Sequence, residues 1–128
     1  MDERNALLRE MTDEVAQLVL RDNYLQTQAL SLAEMRAAEL LPAHTAFMQH
    51  LESTGQLNRT VEYLPTDLDL QTRMAARQGL TRPELAVLLA YSKIWLYEKL
   101  IMTSLPGEAC LTADVRAYFP KPLQDRYI

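Results

Sequence analysis

Two histidines, one cysteine and three glycines bound the chemistry open to these 128 residues. Zinc hydrolases commonly place two histidines four residues apart on one helix face. His44 and His50 are six apart and fall on different faces, so they read as surface or hinge histidines. Tyr91 and Lys93 are two apart on an expected helix and diverge, while Tyr97 neighbours Lys93 at i+4. That pair reads as a lysine stem lying on an aromatic ring. Ser31, Ser53, Ser92 and Ser104 have no histidine at a spacing that suggests nucleophile activation. Cys110 is alone, which excludes an internal disulfide and an all-cysteine metal cage and fits a reducing cytoplasm. Gly55, Gly79 and Gly107 are scattered and form no phosphate-cradling loop. No catalytic, cofactor-binding or metal-binding residue is therefore expected, and the chain by itself is not expected to hold a dinucleotide in the usual way.

One stretch is too polar for its surroundings. Arg21, Asp22, Asn23, Tyr24, Gln26 and Gln28 interrupt a helical pattern. They form a candidate interdomain contact, with a solvated helix face as the alternative. Asp22 falls in register with Val15, Leu18, Leu25 and Ala29, so one side of it should meet apolar surface. A carboxylate there needs a cation or several donors. Arg73, Arg77 and Arg82 are the candidates within the chain, and a neighbouring domain is the other source.

The elements that must position these residues read as helices. The region from Gly79 to Ile94 is a complete helix start: Gly79 can end the preceding helix in a left-handed conformation. Thr81 and Glu84 form a capping box, and Pro83 occupies the first turn. The helix expected over 82–104 is apolar almost all round, which predicts burial of Leu85, Leu88, Leu89, Trp95 and Leu96. Upstream, a short helix is expected over 3–11, with Thr12 starting a second one. Met11, Val15, Leu18, Leu25, Ala29 and Leu32 line one face. Ser31 and Glu34 suggest a further cap before a helix over 32–53, with Pro42 breaking or kinking it near 38–42 and Gly55 ending it. Residues 58–63 form a turn closed by Pro65. Thr66 caps a helix to Arg77, with Leu68, Met74 and Ala75 inward and Asp67, Arg73 and Arg77 in water. Residues 105–107 are a turn, Thr112 caps a helix to Phe119, and Pro120 and Pro122 leave a weakly specified tail. No stretch alternates long enough to be a strand. The expectation is all-α: one compact helical domain over 1–128, about six helices and no sheet.

Composition narrows the partners. Hydrophobic residues make up 48% and the net charge is -4, so a core is available and nucleic acid or an anionic membrane surface is disfavoured. The first ten residues hold no apolar run of a signal peptide. Residues 85–102 contain Ser92, Lys93, Glu98 and Lys99, too costly for a lipid-spanning helix. Residues 80–88 could open a helix-turn-helix, but no turn follows before Ser104 and no basic recognition helix appears. A free-standing helical interaction module is the other non-enzymatic alternative.

Three stretches carry a resemblance: Met11-Thr12-Asp13-Glu14-Val15-Ala16, residues 19–31, and Gly79 through Ile94. Leu41-Pro42-Ala43-His44 and Ala117-Tyr118-Phe119-Pro120 agree with it on a smaller scale. Together, and in order, they resemble the large bacterial NAD-specific glutamate dehydrogenases, in the helical region that follows the nucleotide-binding domain. The resemblance implies a parent oxidoreductase of glutamate catabolism, converting L-glutamate to 2-oxoglutarate and ammonia with hydride passing to NAD. It implies a cytoplasmic, homo-oligomeric parent whose other domains or subunits are this region's partners. The family's catalytic lysine and aspartate and its dinucleotide glycines lie upstream, so no catalytic residue is carried over. The pattern would continue past Tyr127-Ile128, which implies an excised piece with a structural or interdomain role.

Overall fold

The structure, a computed structural model, describes residues 2–127, without the side chains of Pro106, Val115, Arg126 and Tyr127. Of the terminal pair Tyr127-Ile128, the second lies outside the described residues. Six α helices follow one another: α1 Asp2–Met35, α2 Ala37–Ser53, α3 Asp67–Ala75, α4 Arg82–Ile101, α5 Thr112–Tyr118 and α6 Lys121–Tyr127. Two short 3-10 turns, Leu105–Gly107 and Ala109–Leu111, separate α4 from α5. No strand occurs among the described residues, in line with the all-α expectation. The chain falls into two compact units, residues 27–96 and residues 1–26 with 97–128.

The core belongs to the 27–96 unit. Leu41, Met48 and Leu51 of α2, Leu57 and Leu64 of the following turn, Leu70 of α3, and Leu80, Leu85 and Leu88 form one apolar cluster. On α2 the buried positions 41, 48 and 51 recur at seven and three residues, one stripe of a helix. In the other unit Pro120 is the one buried residue among those described, and α1 has none along its 34 residues.

Several boundaries differ from those expected. α1 is one helix, because neither proposed cap acts as one. The Thr12 hydroxyl donates to Leu8 O at 2.7 Å and the Ser31 hydroxyl to Thr27 O at 3.0 Å, the back-bonding of a mid-helix residue. The break falls at Arg36, whose N–H donates to Ala33 O, and not in the 38–42 window. Pro42 lies inside α2. On α3 the inward residue is Leu70, while Leu68 and Met74 are exposed. A helical turn brings Arg73 onto the Leu70 side, so Arg73 is half-buried and does not face water as expected. On α4 Leu85 and Leu88 are buried, but Leu89 and Trp95 are half-buried and Leu96 is exposed. The tail after Pro120 is helical, and the Lys121 N–H donates to the Glu14 carboxylate.

Gly79 plays a different part from the one its neighbours suggested. The left-handed position that ends α3 is occupied by Arg77, at φ 57°, with Gln78 N–H on Arg73 O and Arg77 N–H on Met74 O. At Gly79 a side chain is excluded by contact: a Cβ would stand 2.1 Å from the carbonyl carbon of Ala37. Gly55, by contrast, ends α2 as expected, at φ 76° with Gln56 N–H on Leu51 O.

Two stability changes follow. Leu88→Ala removes a buried side chain and should cost about 2–5 kcal/mol in denaturant unfolding. Gly79→Ala must push two backbones apart and should lower stability by about 1–3 kcal/mol or more, although alanine is otherwise the better chain stiffener. A thermal midpoint equal to wild type for either variant contradicts this packing.

Candidate functional site

Arg21, Asp22, Asn23, Tyr24, Gln26 and Gln28 all lie on α1. Helical geometry divides them: Arg21, Tyr24 and Gln28 share one face, and Asp22 and Gln26 another. All are exposed except Gln26, which is partly buried. Asp22 is exposed, and no ion pair to it occurs among the described residues. The expected partners are engaged or turned elsewhere: Arg73 binds Glu84, Arg82 binds Glu34, and Arg77 forms the left-handed end of α3. The apolar side of Asp22 does exist, since Leu18, Leu25, Ala117 and Tyr118 line a shallow cleft with Arg21, Asp22 and Asp114.

The same helix presents much apolar surface. Val15, Val19, Leu20, Tyr24, Leu25, Leu32 and Met35 are all exposed. The chain exposes 9635 Å². A folded monomer of 14.7 kDa exposes about 6,900 Å². Even two separate globules of the sizes of the two units would expose about 8,400 Å² in total. The exposed apolar side chains of α1 are part of that surface.

Two polar networks of the 27–96 unit are satisfied internally. Glu84, 8% exposed, is the one buried charged residue among those described. Its Oε1 accepts from Arg73 Nη1 at 2.7 Å, from the Thr81 hydroxyl at 2.7 Å and from the Thr81 N–H at 2.8 Å. The expected pairing of Thr81 and Glu84 is present, with the hydroxyl donating to the carboxylate. Burial pushes the Glu84 carboxyl up, but the bonds from Arg73 and Thr81 and the arginine's charge outweigh it, leaving it below its ordinary value of 4.5. Arg59 makes a second hub, bonded to Glu52, to Asp67 at 2.8 Å and to Pro65 O at 3.2 Å. These clusters bind helices together.

A groove of about 170 Å³ runs between the end of α1, α2 and α4, lined mainly by Leu30, Ala33, Phe47, Leu88 and Leu89, with His44 and Ser92 on its walls. His44 Nδ1 is sealed from solvent without a hydrogen-bond partner among the described residues. Burial pushes its imidazole below the ordinary 6.5. A nitrogen so enclosed offers no contact to a molecule entering the groove. His50 is exposed at the end of α2 and does not join it. No group of three or more metal-ligating side chains occurs among the described residues. No helix among them is long and apolar enough to cross a membrane.

Both shifted groups make the fold sensitive to acid. His44 and Glu84 each have a folded pKa below the unfolded one, so each contributes stability above its unfolded value that is lost as pH falls through its folded value. Stability should fall in two stages, first below about pH 6.5 and then below about pH 4.5. His44→Gln should flatten the first stage and Glu84→Gln should make the second shallower, the carboxyls of Glu39, Asp67 and Asp69 also being held below their ordinary values, in urea titrations between pH 3 and 8. Parallel profiles for variant and wild type rule out the assignment.

Residues 1–33 match the family model described as the bacterial NAD-glutamate dehydrogenase catalytic domain, and residues 77–128 match the one described as the glutamate dehydrogenase C-terminal region. NAD-specific glutamate dehydrogenases of Pseudomonas aeruginosa and Halomonas elongata are 49% and 44% identical over 125 residues. That of Mycobacterium tuberculosis is 41% identical over 126 residues. Each alignment takes in 98% of this chain and 8% of the relative, so the chain spans about one-twelfth of the curated relatives it matches. No solved structure matches. The chain belongs to the family of bacterial NAD-specific glutamate dehydrogenases.

Proposed function

We propose that the chain is a helical interdomain segment of an NAD-dependent glutamate dehydrogenase, joining its catalytic domain to its C-terminal region. The parent reaction is the oxidation of L-glutamate by NAD to 2-oxoglutarate, ammonia and NADH, in the cytoplasmic catabolism of glutamate. The segment contributes no reacting group. It supports, docks and orients, and its partners are other domains or subunits of a homo-oligomeric parent.

The observation that carries this reading is α1, a helix with many exposed apolar side chains and no buried residue among those described. A long helix without an apolar environment gains little from tertiary packing, the usual source of helical stability. Its match to the catalytic-domain family supports that domain as the missing environment. The polar positions 21–28 then form the rim of an interface whose centre is Leu18, Val19 and Leu25.

Val19→Glu and Asp22→Ala, each made both in this chain and in the full-length enzyme, test the proposal. Val19→Glu should leave the chain's unfolding midpoint within about 0.5 kcal/mol of wild type, as exposed substitutions do. In the full-length enzyme it should lower stability or glutamate oxidation at least several-fold, with Asp22→Ala acting in the same direction. Equal, small effects of both variants in both contexts refute the docking role.

A further inference from the structure

The end of α1 and the start of α4 meet at a joint with unusual connections. α1 and α2 are separated by a single non-helical residue, Arg36, at φ -112° and ψ 16°. The turn that precedes α4 and the first residue of that helix contact the two sides of that residue. On the α2 side, Gly79 lies against Ala37 so closely that no Cβ could be added. On the α1 side, Arg82 reaches three positions on successive turns. Its Nη1 donates to Glu34 Oε2 at 2.8 Å and to the Ser31 hydroxyl at 3.2 Å, and its Nη2 approaches Thr27 O at 3.5 Å. Residues 27, 31 and 34 share one stripe of α1. A planar guanidinium with its fan of donors can serve all three, whereas a lysine ammonium is a point charge without that fork.

We infer that residues 79–82 are a strap across the α1–α2 joint, seated on Ala37 by Gly79 and tied to the end of α1 by Arg82. The inference rests, for its meaning in the enzyme, on the interdomain reading above. Gly79 and Arg82 lie in the stretch that matches the C-terminal family model, and Thr27 and Ser31 lie in the stretch that matches the catalytic-domain model. The strap is thus where the second stretch holds the first. Its two halves differ in kind. The Gly79 contact is steric and permanent while the unit is folded. The Arg82–Glu34 pair is 39% and 51% exposed, so salt screens it and it can release. Arg82 is a positioning residue in this scheme.

Amide hydrogen exchange on the chain tests the strap directly, because local opening at a joint is read without global unfolding. The reporters are the Arg36 and Leu40 amides, which donate to Ala33 O and Arg36 O. The Leu70 and Ala76 amides of α3 are controls, donating to Thr66 O and Thr72 O. Arg82→Gln should speed exchange at the reporters about three- to tenfold and leave the controls unchanged. Glu34→Gln should do the same to a smaller extent, since the Ser31 and Thr27 contacts persist. The swap Glu34→Arg with Arg82→Glu should slow the reporters again, and raising the salt should speed them in wild type and in the swap but not in Arg82→Gln. Unchanged reporters in Arg82→Gln overturn the strap. So does an equal acceleration of the controls, which makes Arg82 a general stabiliser of the unit. These readouts concern the chain itself and stand or fall independently of the parent-enzyme reading, which the Val19 and Asp22 variants decide.

Discussion

One carboxylate oxygen fixes the passage from α3 to α4. Glu84 Oε1 accepts from Arg73 on one helix and from both the N–H and the hydroxyl of Thr81 ahead of the next. Arg73 Nη1 also approaches Gly79 O at 3.4 Å, so the intervening turn is gripped from within. With that turn set, Leu80 and Leu85 enter the core, Gly79 rests on Ala37, and Arg82 emerges toward the end of α1. An ion pair this enclosed gains little over an apolar pair of the same shape, because both charges have given up much of their water. What it supplies is geometry: a single arrangement of Arg73, Thr81 and Glu84 leaves none of them unsatisfied.

The contrast between the two units is a contrast in burial. Residues 27–96 fold around leucines from α2, α3, α4 and the connecting turns, with buried charge compensated. In the other unit many apolar side chains are exposed, and Pro120 is the one buried residue among those described. Helices so exposed are the form expected of elements completed by another domain, and the two family models meet this chain on either side of the α1–α2 joint.

Local signals in the sequence were informative where one residue decides the outcome and misleading where a choice depends on distant contacts. Pro83 and the Thr81–Glu84 pair locate the start of α4 without tertiary information. The Thr66–Asp69 capping box does the same for α3, with Asp69 N–H on the Thr66 hydroxyl at 3.2 Å. Thr12 and Ser31 carry the same signal, yet the helix runs through both, because a hydroxyl can equally well bond back to the preceding turn. The phase of α3 was hidden for another reason. Leu68 and Leu70 compete for the inside, and the deciding factor is the reach of Arg73 to Glu84, eleven residues further on. The role of Gly79 was equally invisible, since its neighbour Ala37 is remote in sequence. Of the candidate contact residues, the place on a helix followed from the pattern, while the exposure of Asp22 did not, because its register with Leu18 and Leu25 says nothing of how much covers that face.

Among the described residues, three segments end in the same left-handed geometry, and one of them ends in glycine. Gly55 adopts it without steric conflict, whereas Tyr63 and Arg77 are held at φ 55° and 57°. A side chain in that region costs about 1 kcal/mol relative to glycine. At Tyr63 the cost is not recovered by burial, since the ring is 90% exposed. The sequence is therefore displaced from its local optimum at two exposed positions on the surface of its best-packed unit. A drifting lineage under selection for heat resistance would find glycine at 63 and 77 among its shortest routes. A lineage that keeps the tyrosine despite that advantage reveals a demand on the ring that the isolated fold does not make.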